Sequence, residues 1–327
     1  MPYQESSYFE TPSREKSLWR YMHIDKFMSM INTQSLYLPK ITTFQDIFEG
    51  ELTELSREEV YKTNLLDEYN TPIKQDDAFV KEKDVMDSPL MRFDRTLVLE
   101  RQHSFETLIN DFSNHFMFCS CWFQNDYESH SMWAEYGDKS PTSVAIQTTV
   151  GDLIDSLEST QYTVHIGEVK YKDYENEHTE GYENFASINL KDQNNVLKLF
   201  YAPITQKRKL FADEHEVRVV ISFESICESH ADRIFTTDIP FYSDNLFEKD
   251  LFFIDHDKTN LMQNIPDRGI NIDVDLMKLI NSVVMSPYRN VYFDEPLVKL
   301  MFDNGLNGEL VRYSQINEVV ERVTRNE

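Results

Sequence analysis

The stretch DEHEVRVVI, residues 213–221, constrains the chain more than any other. Val217, Val219, Val220 and Ile221 are β-branched, the residues that fit a pleated, packed surface, and they predict a strand within a core sheet. Side chains alternate along a strand, so Glu214, Glu216 and Arg218 are predicted on one face, with His215 and Val217 on the other. Such a strand leaves two alternatives. Either the charged face is wet and carries a salt-bridge ladder of little energetic weight, or its charges sit in a site. Lys207, Arg208 and Lys209 precede the strand, with Phe211 between them and the acids. In the site reading, a carboxylate stabilises a developing cation or orients a hydroxyl, beside cations that hold phosphate.

Other features exclude whole classes. The chain has 8 glycines in 327 residues, and neither G-x-x-x-x-G-K-[ST] nor G-x-G-x-x-G occurs, so the common phosphate loops are missing. A formal net charge of −25 repels a nucleic-acid backbone and argues against a broad nucleic-acid surface, leaving a local basic pocket open. Cys119 and Cys121 alternate on an apparent strand, where a disulfide fits poorly; they read as buried thiols. The histidines show no metal-ligand spacing, so no metal site is predicted. The N-terminal segment has no apolar signal core and no run approaches membrane-spanning length, which predicts a cytoplasmic protein with no membrane partner.

Read in order, the chain begins with a polar arm, residues 1–16, predicted to be flexible. LWRYM reads as a strand, HIDKFMSMINTQ as a helix with Ile24, Phe27, Met28 and Ile31 on its apolar face, and SLYLPK as a second strand. TTFQDIFEG reads as a loop anchored by aromatics. Residues 51–112 are rich in charge and predict a helical insertion packed outside the sheet as a lid or protein-partner surface. HFMFCSCWF is a strand, SMWAEYG a short helix, SVAIQTTV a strand and YTVHIGEVKYKDY a strand of regular alternation. The C-terminal third adds strand–helix–strand, helix and strand. Residues 17–327 therefore predict one α+β domain: a mixed sheet core with flanking helices and a helical insertion, without a βαβ rhythm.

Further residues carry two readings each. Arg20 lies between Trp19 and Tyr21 and needs an acceptor. It pairs with a carboxylate such as Asp46 or Glu49, or it binds a phosphate or ribose. Trp133 and Tyr136 follow a polar loop after a strand, a common place for a site, yet their spacing also suits core packing.

Together Trp19-Arg20-Tyr21, LYLPKITTFQDIFEG, CSCW, MWAEYG with SVAI, KRKLFADEHEVR and VVMSPY resemble a bacterial family catalogued only as a domain of unknown function. The N-terminal unit also resembles ADP-ribosyltransferase folds, in which a split sheet binds NAD. That resemblance implies NAD as a substrate, with Arg20 on its ADP part and Tyr21, Tyr37, Phe44, Trp133 and Tyr136 lining the site. Lys207, Arg208 and Arg218 would assist, and Ser120 is a loose substitute for the family's Ser-Thr-Ser strand. Glu214 and Glu216 resemble its Glu-x-Glu catalytic strand. The implied function is an NAD-using ADP-ribosyltransferase or glycohydrolase, similar to phage-defence effectors and toxins. The alternative is a non-catalytic nucleotide-binding sensor or scaffold. Either way Arg20, the MWAEYG helix and the 214–218 strand are expected to converge on one cleft.

Overall fold

The computed structural model describes residues 2–64, 116–188, 193–223, 225–226 and 265–316. Their elements run β1 (Ser17–Met22), α1 (Ile24–Thr33), β2 (Ser35–Pro39), α2 (Glu54–Asn64), β3 (Cys119–Gln124) and α3 (His130–Tyr136). There follow β4 (Val144–Thr149), α4 (Val150–Ser156), β5 (Val164–Glu168), β6 (Lys170–Lys172), α5 (Gln193–Tyr201) and β7 (Gln206–Arg208). The last are β8 (Glu216–Ile221), β9 (Gly269–Asp273), α6 (Leu276–Leu279), β10 (Ser282–Met285), α7 (Asp294–Asp303) and β11 (Val311–Tyr313).

Among the described residues the core is a mixed sheet of seven strands in the order β11-β10-β4-β1-β3-β8-β5. Neighbours are antiparallel except β10 and β11. Two ribbons flank it: β2 with β9, antiparallel, and β6 with β7, parallel. The fold is α+β, as the mixture of patterns predicts.

Register sorts the side chains onto two faces. Directly opposed residues of antiparallel strands share a face. Trp19 opposes Phe123, which opposes Glu216 in turn, and Cys121 opposes Arg218. These residues, with Tyr21, Ala145 and Val284, lie on one face, where Trp19, Tyr21, Phe123, Met132, Trp133, Ala145 and Val284 form a compact core under α3. Leu18, Arg20, Met22, Ser120, Trp122, Val144 and Ile146 lie on the other. There Phe27 and Ile31 of α1 and Leu36 and Leu38 of β2 belong to the same buried cluster as Leu18, Met22 and Trp122.

Local signals set several boundaries. Thr149 and Ser129 cap α4 and α3, accepting from Asp152 N and Met132 N. On α1, Phe27, Met30 and Ile31 are buried and Met28 is exposed, so its inward stripe is shifted from the one expected. The chain after β5 does not continue as one strand: Val169 separates β5 from β6, which belong to different sheets. Part of the basic turn before β8 is itself the short strand β7.

The N-terminal arm makes backbone contacts with the sheet domain. Tyr3 bridges to Val164, and Gln4 N donates to the Val164 carbonyl. Glu168 N donates to the Glu10 carbonyl and Gly151 N to that of Arg14. The expected helical insertion begins as a helix with α2; residues 65–112 lie outside the described residues.

Candidate functional site

Strand β8 is wholly buried, from Glu216 to Ile221. The wet salt-bridge ladder is thereby replaced by a closed charge cluster. Arg218 is 1% exposed. Its Nε donates to Glu216 Oε1 at 2.7 Å, one terminal nitrogen donates to Glu49 Oε2 at 2.8 Å, and the other donates to the Ile204 carbonyl at 2.7 Å. Lys207 Nζ lies 3.2 Å from Glu216 Oε2, 3.3 Å from Glu49 Oε1 and 2.5 Å from Glu214 Oε2. Arg208 grips Asp46 through two bonds of 3.0 and 2.7 Å. Its guanidinium lies between Phe48 and Phe211, and Phe211 also underlies Lys207. Phe44 sits 5.9 Å from the Arg218 guanidinium.

The sequence builds this cluster from three separate segments. The loop after β2 brings Asp46 and Glu49, β7 brings Lys207 and Arg208, and β8 brings Glu216 and Arg218. Glu214 precedes β8 in a 3-10 turn that ends at His215, whose φ of +39° is left-handed. That kink breaks simple alternation, so Glu214 joins Glu216 through Lys207 and not as the next rung of one strand.

The two carboxylates differ in chemistry. Burial opposes ionisation of Glu216, but Arg218 and Lys207 overcome it and bring its pKa down to about 2. Both its oxygens are bonded to cations, and its backbone N–H donates to Tyr171 Oη at 2.8 Å. Glu214 is pushed up from the ordinary carboxylate range, chiefly by burial, with Lys207 pulling against it. It is the most exposed acid of the cluster, at 16%, and accepts from Tyr136 Oη at 3.1 Å. Tyr136 itself is 40% exposed at the end of α3. Its phenol is pushed up by burial and by the Glu214 charge.

Residues 132–219 match the family model described as Protein of unknown function (DUF2971). The match runs from α3 through β8. It contains Trp133, Tyr136, Lys207, Arg208, Glu214, Glu216 and Arg218, and it leaves out Asp46 and Glu49, which complete the cluster. No curated protein matches the chain.

The predicted residues divide into two places. Tyr136, Phe44, Lys207, Arg208, Glu214, Glu216 and Arg218 meet in or beside the cluster. Trp133 is fully buried on the same face, packs edge-on against Tyr21 and donates from Nε1 to Glu128 Oε2 at 2.9 Å. Tyr21 Oη accepts from Ser129 N, so both aromatics position α3. Arg20 and Ser120 do not join them. They bond to each other at 2.7 Å on the opposite face of the sheet, and Arg20 also donates to the Tyr37 carbonyl at 3.3 Å. The expected single cleft is corrected: strand register, with period two, sends Arg20 and Glu216 to opposite sides. Asp46 and Glu49, weighed as partners of Arg20, pair instead with Arg208 and with Arg218 and Lys207. In the sequence they sit in the aromatic loop TTFQDIFEG, whose only signal is an acid on each side of apolar anchors.

Proposed function

We propose that this chain acts on the N-ribosyl bond of NAD, as a glycohydrolase or ADP-ribosyltransferase, with Glu214 as the carboxylate that meets the ribose. The observation that carries this reading is the charge balance of the cluster. Asp46, Glu49, Glu214 and Glu216 oppose Lys207, Arg208 and Arg218, so four acids face three bases, and Glu214 is the most exposed of the acids. Breaking the bond from ribose C1′ to the nicotinamide nitrogen sends the electron pair to nitrogen and leaves an oxocarbenium-like cation. A fixed carboxylate stabilises that cation without reorganisation. Glu214, whose pKa burial raises, then takes the proton of the incoming water or acceptor hydroxyl. Tyr136 orients Glu214, and the buried Glu216–Arg218–Glu49–Lys207 set holds it rigid. Glu216, with both oxygens occupied, supports the site instead of touching the ribose.

A binding-only reading, a nucleotide sensor or scaffold, is favoured by one fact: Lys207 and Arg208 are already paired with acids and leave no free cation for phosphate in this cluster. Nicotinamide release measured on wild type, Glu214→Gln and Glu216→Gln separates the readings. The first predicts release by wild type and a loss of 100-fold or more in a folded Glu214→Gln protein, on the scale of removing one electrostatic stabiliser. NAD binding without release by wild type favours the second, and neither binding nor release removes NAD as the ligand.

A further inference from the structure

The opposite face of the sheet carries the inverse arrangement: donors that no acid receives among the described residues. Arg20 lies on β1, fourth of the seven strands. Its guanidinium has five N–H groups, and its two hydrogen bonds go to neutral oxygens, Ser120 Oγ and the Tyr37 carbonyl. No carboxylate pairs with it among the described residues, although the chain as a whole carries −25. Ser120 is fully buried and, while accepting from Arg20, has no acceptor for its own O–H among those residues. The Arg20 guanidinium lies 5.6 Å from the centre of the Trp122 ring, and Trp122 Nε1 is buried with no acceptor among the described residues. Trp122 is 1% exposed.

A second cation stands on the same ridge. Lys40, at the end of β2, is buried, and its Nζ lies 5.8 Å from the centre of the Phe118 ring. It makes no ion pair among the described residues; Asp267 acts on it only from beyond ion-pairing distance. Phe118, which bridges to Lys40 just before β3, and Ser120 and Trp122 within β3 alternate along the chain, each about 7 Å from the next on that face. Lys40 therefore stands over the first of these positions, and Arg20 over the other two, between Ser120 and Trp122. The mouth is on the β2 side: the Arg20–Tyr37 bond is open to solvent and the Tyr37 ring is 42% exposed.

Two cations, one half-buried and one buried, a hydroxyl and an indole N–H are all donors, and a charge drawn partly out of water is stabilised by a counter-charge. Water bridges donors but supplies no charge. A tetrahedral dianion accepts several donors at once and matches both cations. We infer that Arg20, Ser120 and Lys40 hold a small oxyanion, a phosphate or phosphate monoester, with Trp122 Nε1–H as a further donor at its buried side. This site lies across the sheet from Glu214 and does not depend on the reading of that face.

Calorimetric titration of the full chain with inorganic phosphate, and separately with ribose 5-phosphate, at constant ionic strength in chloride, tests the inference. Wild type is expected to bind at least one of the two saturably. Arg20→Gln should lose 10-fold or more in affinity, Arg20→Lys should recover part of it, and Lys40→Gln should lose several-fold. Binding should change tryptophan emission, and Trp122→Phe should remove that change while Trp19 and Trp133 remain. Tighter binding of ribose 5-phosphate identifies an ester ligand, and equal binding identifies the free anion. No saturable binding by wild type, or equal binding by wild type and Arg20→Gln, overturns the site. If Arg20→Gln does not fold, Lys40→Gln decides, and an unchanged affinity there has the same consequence.

Discussion

Arg218 on β8 and Arg20 on β1 flank the same strand, β3, and point to opposite sides of it. Arg218 meets two carboxylates and a carbonyl, all within 2.8 Å. Arg20 meets a hydroxyl and a carbonyl, and burial lowers its pKa to about 10. Both guanidinium groups stay charged at neutral pH; Arg218 carries the full cost of leaving water and half-buried Arg20 a part of it. On the Arg218 side that cost is offset by acids from the loop after β2, and the resulting cluster is closed. On the Arg20 side it is left standing. Whether a buried charge is structural or available depends on what the far loops deliver to its face.

The largest expected effect breaks this comparison directly. Arg218→Met strands Glu216 and Glu49 in a buried setting and should cost about 3–5 kcal/mol, the scale for removing one partner of a buried pair. Arg20→Met strands no acid and should cost less than about 1 kcal/mol, since it removes a desolvated charge together with two hydrogen bonds to neutral oxygens. Urea denaturation of both variants measures the contrast, and equal losses would mean that Arg20 has an acidic partner in solution.

Next in size is the acid response. Glu216 titrates at about 2 in the folded chain, below its ordinary value near 4.5. Its depressed pKa contributes stability that is complete above about 4.5 and lost as pH falls from there towards 2. That contribution is on the order of 3 kcal/mol. Urea midpoints taken across pH 2–6 should fall more steeply for wild type than for Glu216→Gln. Glu214 has the opposite sign, because its pKa is raised. The stability it contributes is present at low pH and lost as pH rises through its folded value, so Glu214→Gln should be neutral or slightly stabilising at pH 7.

A smaller effect belongs to the ribbon beside Arg20. A Cβ at Gly269 would lie 2.4 Å from the Tyr37 ring and 2.7 Å from the Leu38 carbonyl. Gly269→Ala should therefore cost about 1–3 kcal/mol by overpacking and displace Tyr37, visible as a lower melting temperature and weaker phosphate binding. The smallest effect is at Tyr136. Tyr136→Phe removes a bond to Glu214 and should cost about 1 kcal/mol or less, while moving the acidic limb of any activity to higher pH because the ionised carboxylate loses a donor.

Much of this was legible in the chain. The β-branched residues of 217–221 and the apolar spacing of α1 each name their element, because burial favours those patterns. The Glu216–Arg218 pair follows from two residues on one strand face. The division between the two arginines was not legible. It depends on the register of β1 against β3 and of β3 against β8, which hydrogen bonds between distant segments decide. The acids of the loop after β2 were weighed for the wrong arginine for the same reason: Asp46 and Glu49 are 26 and 29 residues from Arg20 in sequence, but the loop carries them to the other side of the sheet. The kink at His215 was hidden too, since a left-handed histidine leaves no mark in the pattern.

The order of strands also has a bearing on synthesis. β1 leaves the ribosome first among the strands of the sheet and ends in its middle, with β4, β3, β8 and β5 all available by residue 221. β10, which covers β4, arrives about 60 residues later. At roughly 5–20 residues per second the nascent chain spends about 3–12 s with the backbone of Val144–Thr149 unpaired on that side. That apolar edge, VAIQTT, is the place where a chaperone would be needed and where nascent copies would first stick to one another.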